Sequence, residues 1–508
     1  MKTTRTLRDL TLNSFAIFAI GACVLAFDFA RADSPVDIGS RRELFVDDYL
    51  IESMQGAELR LHSPSRREVV MTFDRPWEGE ISGMVTVFSD EDLFRMYYCA
   101  WGIVRPLTDP NPYGKRVTCY AESRDGITWR RPDLGLNVAE ATGTTSNNIV
   151  FQGTGLTANV SDSFVPFKDT NPDCPPEARY KAVGRTVTGM KSGFGGLLAL
   201  KSPDGIHWTT MQEEPIIVSP GLDGQGGVSW DSVRGRYVEF ERGGFRNGYR
   251  DIATHTSDDF LHWSEFHWLD YGGAPAEQLY NNATFPYYRA PHIFVSFVMR
   301  FVPGRQPGDD IVSPLSEAVF MSSRDGVHFD RSFMEGWIRP GLDPLNWGHG
   351  HGNNWPAWAL IQTGPEEMSV YWVEHWEHPG RPTQLRRGTL RLDGFVSVHA
   401  AYAGGEFITK PLVFEGRELA MNFSTSAVGS VQVEIRDAAG NPIPGFALAD
   451  CLAIYGDAIE QTVKWQAGSD VSALAGQVVR LRFVMKDADL YAIRFLSPSL
   501  RTNGAVSP

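Results

Sequence analysis

The chain has 508 residues, with 47 Lys and Arg against 61 Asp and Glu, a formal net charge of -14. One hydrophobic core rarely serves this length, so two domains are expected, and the negative balance without a Lys/Arg run argues against nucleic acid as a partner. Gly (50), Pro (31), Trp (14), Tyr (16) and Phe (30) describe a turn-rich, aromatic-rich β protein, not a helical one.

The chain opens with an export pattern. Lys2, Arg5 and Arg8 give a positive region, 15–27 an apolar one, and Ala30-Arg31-Ala32 the small residues a signal peptidase reads. Residues 1–32 are therefore expected to be a signal peptide, which puts the mature chain in the periplasm or outside the cell. No later stretch approaches the length of a membrane span. The mature chain keeps Cys99, Cys119, Cys174 and Cys451. Four scattered cysteines are no disulfide framework, although Cys99 and Cys119 stand on segments expected to be neighbours.

From residue 83 onward, strand-like runs return with the same grammar. GMVTVFSDEDLFRMYYCAWG (83–102) is two β-rich runs about a turn, and RVTCYAES leads into SRDGITW at 123–129. The ending recurs as SPDGIHW (202–208), SDDFLHW (257–263) and SRDGVHF (323–329), at intervals of 79, 55 and 66 residues. A related TLRLDGFVSV spans 389–398. Each copy has a turn that reverses the chain and an aromatic that can lie over a sheet. Such units cannot bury their own apolar faces, so they must assemble around an axis or along a line. Five four-stranded sheets fit the intervals, and the expected fold is all-β: a five-bladed β-propeller over 33–400. Beyond 401 Trp becomes scarce and aliphatic alternation takes over, as expected for a C-terminal β-sandwich over 401–500. The sandwich would pack on the propeller or contact polymer, and 501–508 reads as a tail.

The S-x-D-G-x-x-W endings, RMYY at 95–98 and LRLDGFVSV at 390–398 give the chain a resemblance to the fructan and sucrose hydrolase superfamily. Its propeller is shared with arabinan- and xylan-degrading glycosidases. The resemblance spans nearly the whole mature chain and is carried by structural motifs. It implies a central funnel lined by the first strand of each blade, with acidic groups from blades one, two and three or near it acting together. The chain departs from the invertase pattern: RPWEGEISG (75–83) replaces W-x-N-D-P-N, NVSDSF (159–164) replaces R-D-P, and blade three has no E-C-P. Only the architecture carries over.

Glycoside hydrolysis needs one protonated carboxyl to assist the leaving oxygen and one ionised carboxylate as nucleophile or base. Acids just before the inner strands are the candidates. Glu78, Asp162 and Glu277 are expected to be catalytic, with Glu80 and Asp223 as rivals that also contact substrate. Each has a plainer reading, Glu78 as a loop acid and Asp162 as a turn cap. Asp125, Asp204 and Asp325 recur with the repeat and are read as turn structure. His349 and His351, in HGHGNNW, stand two apart among glycines that let a ligand approach, and are read as sugar-hydroxyl contacts. Trp230, Trp347, Trp355, Tyr280 and Tyr287 can stack on a sugar face or simply pack the blades. Arg242 and Arg246 suit a carboxylate or sulfate on the substrate. No ligand spacing calls for a metal or cofactor. The expected function is a secreted glycoside hydrolase acting on a poly- or oligosaccharide through funnel carboxylates. The alternatives are a non-catalytic carbohydrate-binding propeller or a polysaccharide lyase on an anionic glycan.

Overall fold

The computed structural model describes residues 34–497 except 80, 102–113, 187–194, 220, 305–313, 348–352 and 379. The export segment, Glu80, His349, His351 and the tail lie outside the described residues. Among the described residues no helix is long and apolar enough to cross a membrane.

Five antiparallel sheets form the propeller. Blade 1 runs Gly83–Asp90, Leu93–Ala100, Val117–Ser123 and Ile149–Phe151 from the axis outward. Blade 2 runs Val165–Lys168, Tyr180–Thr186, Gly196–Ser202 and Thr209–Thr210, with Ile217–Val218 also paired to its third strand. Blade 3 runs Gly227–Asp231, Arg236–Arg246, Tyr249–Ser257 and His267–Trp268. Blade 4 runs Gln278–Tyr287, Ala290–Val302, Leu315–Ser323 and Phe329–Asp330. Blade 5 takes Trp355–Pro356, Glu367–Glu374 and Gln384–Arg391 from late in the chain, and its outer strand is Ser65–Thr72 from before blade 1. The ring thus closes through pairing of strands more than 300 residues apart.

The repeated turn has one geometry in four blades. In blade 2, Asp204 Oδ1 accepts the N–H groups of Ile206 and His207 at 2.8 Å each, while Ser202 Oγ accepts the Gly205 N–H at 2.8 Å. Asp125, Asp259 and Asp325 do the same. The residue after each Asp adopts positive φ: Gly126, Gly205 and Gly326 do so freely, and Phe260 takes φ 71 with its ring buried. The Trp that ends the motif donates back to the same carbonyl, Trp208 to Gly205 at 2.9 Å. That carbonyl also fastens the next blade: Tyr97 of blade 1 donates to Gly205 at 2.8 Å, and Tyr371 of blade 5 to Gly126 at 2.6 Å. These aspartates are structural, as expected.

The axis is filled. Trp358, following the inner strand of blade 5, donates its N–H to Val85 of blade 1 (2.8 Å) and its indole N–H to Thr284 of blade 4 (3.1 Å). Gln225, entering blade 3, reaches across to donate to Val85 at 2.9 Å. The inner strands begin at one end of the ring and the Asp turns lie at the other. The acids expected to be catalytic precede the inner strands and so stand at the first of these ends, the open end, while a cavity of about 640 Å³ beside Asp325 and His328 lies at the other.

The remaining ten strands form the β-sandwich. Its spine, Val479–Leu496, pairs with Glu418–Asp437, Gly405–Thr409, Leu412–Phe414 and Val396–Ala400. Its core holds Phe407, Phe483, Trp465 and Phe495, with Phe414 stacked on Phe495 at 3.7 Å between centroids. Four early strands join this sheet: Val36–Gly39, Glu43–Leu44, Ile51–Gln55 and Ala57–Leu61. These strands and Val396–Ala400 stand on the propeller side of a division at 400, yet they pair in the sandwich. Cys99 faces Thr118 and Cys119 faces Tyr98 in the blade 1 ladder, so the two thiols point to opposite faces and are unbonded.

Burial pushes the Asp204 carboxyl up, but the His207 N–H, the His207 ring and the Ile206 N–H outweigh it and hold it down at about 2. A depressed folded value means stability that is present above the unfolded carboxyl's range and lost as pH falls through the folded one. Asp204→Ala should cost about 1–2 kcal/mol at neutral pH, the size of a lost cap. In urea unfolding the gap from the wild type should close as pH drops from about 4 toward 2. A gap that persists unchanged at the acid end would contradict this.

Candidate functional site

Second strands run back toward the open end, so residues late in them meet residues that precede the inner strands. Four blades contribute to one cluster there. Asp162, before the inner strand of blade 2, accepts from Arg116 of blade 1 and from Arg185 of blade 2, both at 2.8 Å. Arg185 also lies 3.5 Å from Asp223, which precedes blade 3. Asp223 Oδ2 accepts from Arg242 of blade 3 at 2.5 Å and from the Tyr280 hydroxyl of blade 4 at 2.7 Å. The Arg242 guanidinium lies over the Tyr280 ring at 5.0 Å, and Arg250 covers the same ring at 5.4 Å.

Two carboxylates here face four guanidinium groups, and the carboxyl groups of Glu239 and Glu241 line the same cavity as Arg185 and Arg242. Burial drives the Asp223 carboxyl up, but the Tyr280 hydroxyl, then Arg242 and Arg185, outweigh it and hold the group below the usual range. Asp223 is ionised and its side chain remains 38% exposed, whereas that of Arg242 is 6% exposed. Burial and the Asp223 charge push the Tyr280 phenol up, so it stays a hydrogen-bond donor. The arrangement presents an oriented, accessible carboxylate beside fixed cations.

Of the residues expected from sequence, Asp162, Asp223, Arg242 and Tyr280 come together. Glu78 and Glu277 belong to separate networks. The Glu78 side chain is fully buried; it accepts from the Tyr98 hydroxyl at 2.5 Å, from Arg131 Nε at 2.9 Å and from the Arg75 N–H at 3.0 Å. Burial raises its pKa against those partners. Glu277 is clamped by Arg300 (3.0 Å) and Arg331 (2.6 Å) in a network running outward along blade 4 to Glu317. Arg246 pairs with Asp251 at 3.0 Å and stacks near Tyr271, away from Asp223. Trp230 packs edge-on against Tyr237 at 4.8 Å. Trp355 is buried against the start of blade 1, and Tyr287 is buried with its hydroxyl on Asp393. Trp347 is 38% exposed, its indole N–H on the Gly341 carbonyl. Sequence reasoning missed Arg116, Arg185 and Arg250, which sit in or beside strands with no local motif.

No protein-family profile and no curated protein matches the chain. Solved structures do. A family 43 arabinoxylan arabinofuranohydrolase from Bacillus subtilis is 12% identical with TM-score 0.41, over 86% of this chain and 99% of that one. A glycosyl hydrolase from Bacteroides ovatus is 12% identical with TM-score 0.43, over 65% and 94%. An N-acetylgalactosamine deacetylase from F. plautii is 13% identical with TM-score 0.42, over 66% and 96%. Glycoside hydrolases of propeller fold are thus among the structures this chain is similar to, at low identity. The five blades are read from its own strand pairing.

The Glu78 network sets a test. Glu78→Gln keeps the shape but leaves the Arg131 guanidinium, 14% exposed, without its buried counter-charge. Breaking one side of such a pair should cost about 3 kcal/mol in chemical denaturation. A Glu78→Gln protein as stable as the wild type would contradict this.

Proposed function

We propose that the chain is a secreted glycoside hydrolase that cleaves an anionic poly- or oligosaccharide at the open end of the propeller. The observation that carries the reading is Asp223: an ionised carboxylate, accessible, fixed by Tyr280 and Arg242 and with Arg185 beside it. Asp223 serves as base for water or as nucleophile. Asp162, which shares Arg185 with Asp223, keeps that guanidinium in place. The arginines supplied by blades 1 to 3 support a substrate bearing carboxylate or sulfate, since a guanidinium binds such groups in bidentate fashion. The sequence offers Glu80, at the opening of blade 1, as proton donor to the leaving oxygen. The export pattern of residues 1–32 supports action outside the cytoplasm.

A second reading, binding without cleavage, is favoured by one observation: both clustered carboxylates are already in salt bridges. The two separate on one experiment. Wild type, Asp223→Asn and Glu80→Gln are assayed for new reducing ends on uronate-bearing and sulfated glycans. Either substitution should lower turnover per folded molecule by on the order of 10²–10⁴. Full activity in Asp223→Asn removes Asp223 from the chemistry. Retained glycan affinity with no product from the wild type selects binding.

A further inference from the structure

Blade 3 holds a second polar cluster that the proposed reaction does not use. Glu239 and Glu241 lie two apart on Arg236–Arg246, and Glu239 is directly opposite His255 on Tyr249–Ser257. Alternation puts all three on one face of the blade. They are 1%, 2% and 5% exposed. One ligand atom from each lies within 4.8 Å of the other two, and among the described residues no other group of three His, Cys, Asp or Glu side chains comes together so closely.

Two features mark this as more than an acidic patch. First, Glu239 Oε2 and Glu241 Oε2 are both buried without a hydrogen-bond partner. Neighbouring buried carboxylates with unmet oxygens are costly unless a proton or a metal ion answers them. The arginines nearest to them, Arg185 and Arg242, are engaged by Asp162 and Asp223. Second, His255 Nδ1 lies 2.9 Å from the Ser264 carbonyl oxygen, which can only accept, so Nδ1 carries hydrogen. In the neutral ring Nε2 is then a lone pair, and it faces Glu241 Oε1 at 3.4 Å. A lone pair and a carboxylate oxygen repel unless a proton or a metal ion sits between them. An imidazole that donates its other N–H to a backbone carbonyl is the usual posture of a metal-bound histidine.

We propose that Glu239, Glu241 and His255 form a binding site for one divalent transition-metal ion, Zn²⁺ or Mn²⁺. One imidazole with two carboxylates suits these ions better than Mg²⁺ or Ca²⁺, which prefer oxygen alone. The cavity between blades 2 and 3 that reaches the two glutamates has a volume of about 10 Å³. That admits an ion or one water and excludes a sugar, so no sugar ring reaches the two glutamates and the inference does not rest on the proposed hydrolysis. The ion would tie the second and third strands of blade 3 together, below the Asp223 cluster that lines the same cavity.

The test uses tag-free mature protein, assayed for metal as purified and again after chelation and refolding with Zn²⁺ or Mn²⁺. One equivalent retained through gel filtration is expected, with a higher melting temperature than the chelated protein. Co²⁺ added to chelated wild type should give visible absorption bands of a nitrogen- and oxygen-ligated ion, a readout that needs no variant to fold. Glu239→Gln/Glu241→Gln and His255→Gln should each lose the bound equivalent. Wild type that takes up none of the three metals, or a folded Glu239→Gln/Glu241→Gln protein that binds them as tightly as wild type, overturns the proposal.

Discussion

The structure depends on one closure, the antiparallel pairing of Ser65–Thr72 with Gln384–Arg391. Without it blade 5 would present an open edge, and the circle that sets every inner strand's angle would be unfixed. The pairing is reinforced from inside, where Trp358 and Gln225 bond backbone groups of blades 1 and 4 across the axis. Tyr97 and Tyr371 reinforce it further out, each donating to the turn of the next blade. Hydrogen bonds of this kind are modest singly. Their arrangement matters because each joins different blades, so the ring resists local opening.

That rigidity is what lets charge be arranged at the open end. Asp162, Asp223, Arg116, Arg185, Arg242 and Tyr280 come from four blades, and each is placed by where its strand starts or stops. None of the three expected catalytic acids shares a partner with another. Glu78 and Glu277 stand before inner strands, as expected of funnel acids, and pair there with guanidinium groups distant in sequence, Arg131 and Arg331. What distinguishes Asp223 is that its carboxylate stays partly exposed after its partners are satisfied.

The fold was legible where its chemistry is local. A Ser and an Asp two apart accept specific nearby N–H groups, so the S-x-D-G turn writes its own geometry into seven residues, and its recurrence counts blades. The sandwich was legible in its composition, but the early strands at 36–61 were not, because their partners are the last strands of the chain. The arginine cluster was half legible: Arg242 stands in a conspicuous glycine-rich stretch, whereas Arg116 and Arg185 look like ordinary strand residues. The Glu239, Glu241 and His255 set was hidden for a further reason. Glu239 and Glu241 show only alternation, and the register that brings His255 opposite Glu239 is set by hydrogen bonding between strands.

The same long-range pairing constrains how the protein can be made. A ribosome delivers the strands at 36–61 first, yet the sheet they complete is built on Val479–Leu496. Ser65–Thr72 must likewise wait for Gln384–Arg391. Neither domain can therefore mature while the chain is still being synthesised, and both finish only after nearly all of it has emerged. Contacts of such sequence separation make for slow folding and a long interval with open strand edges.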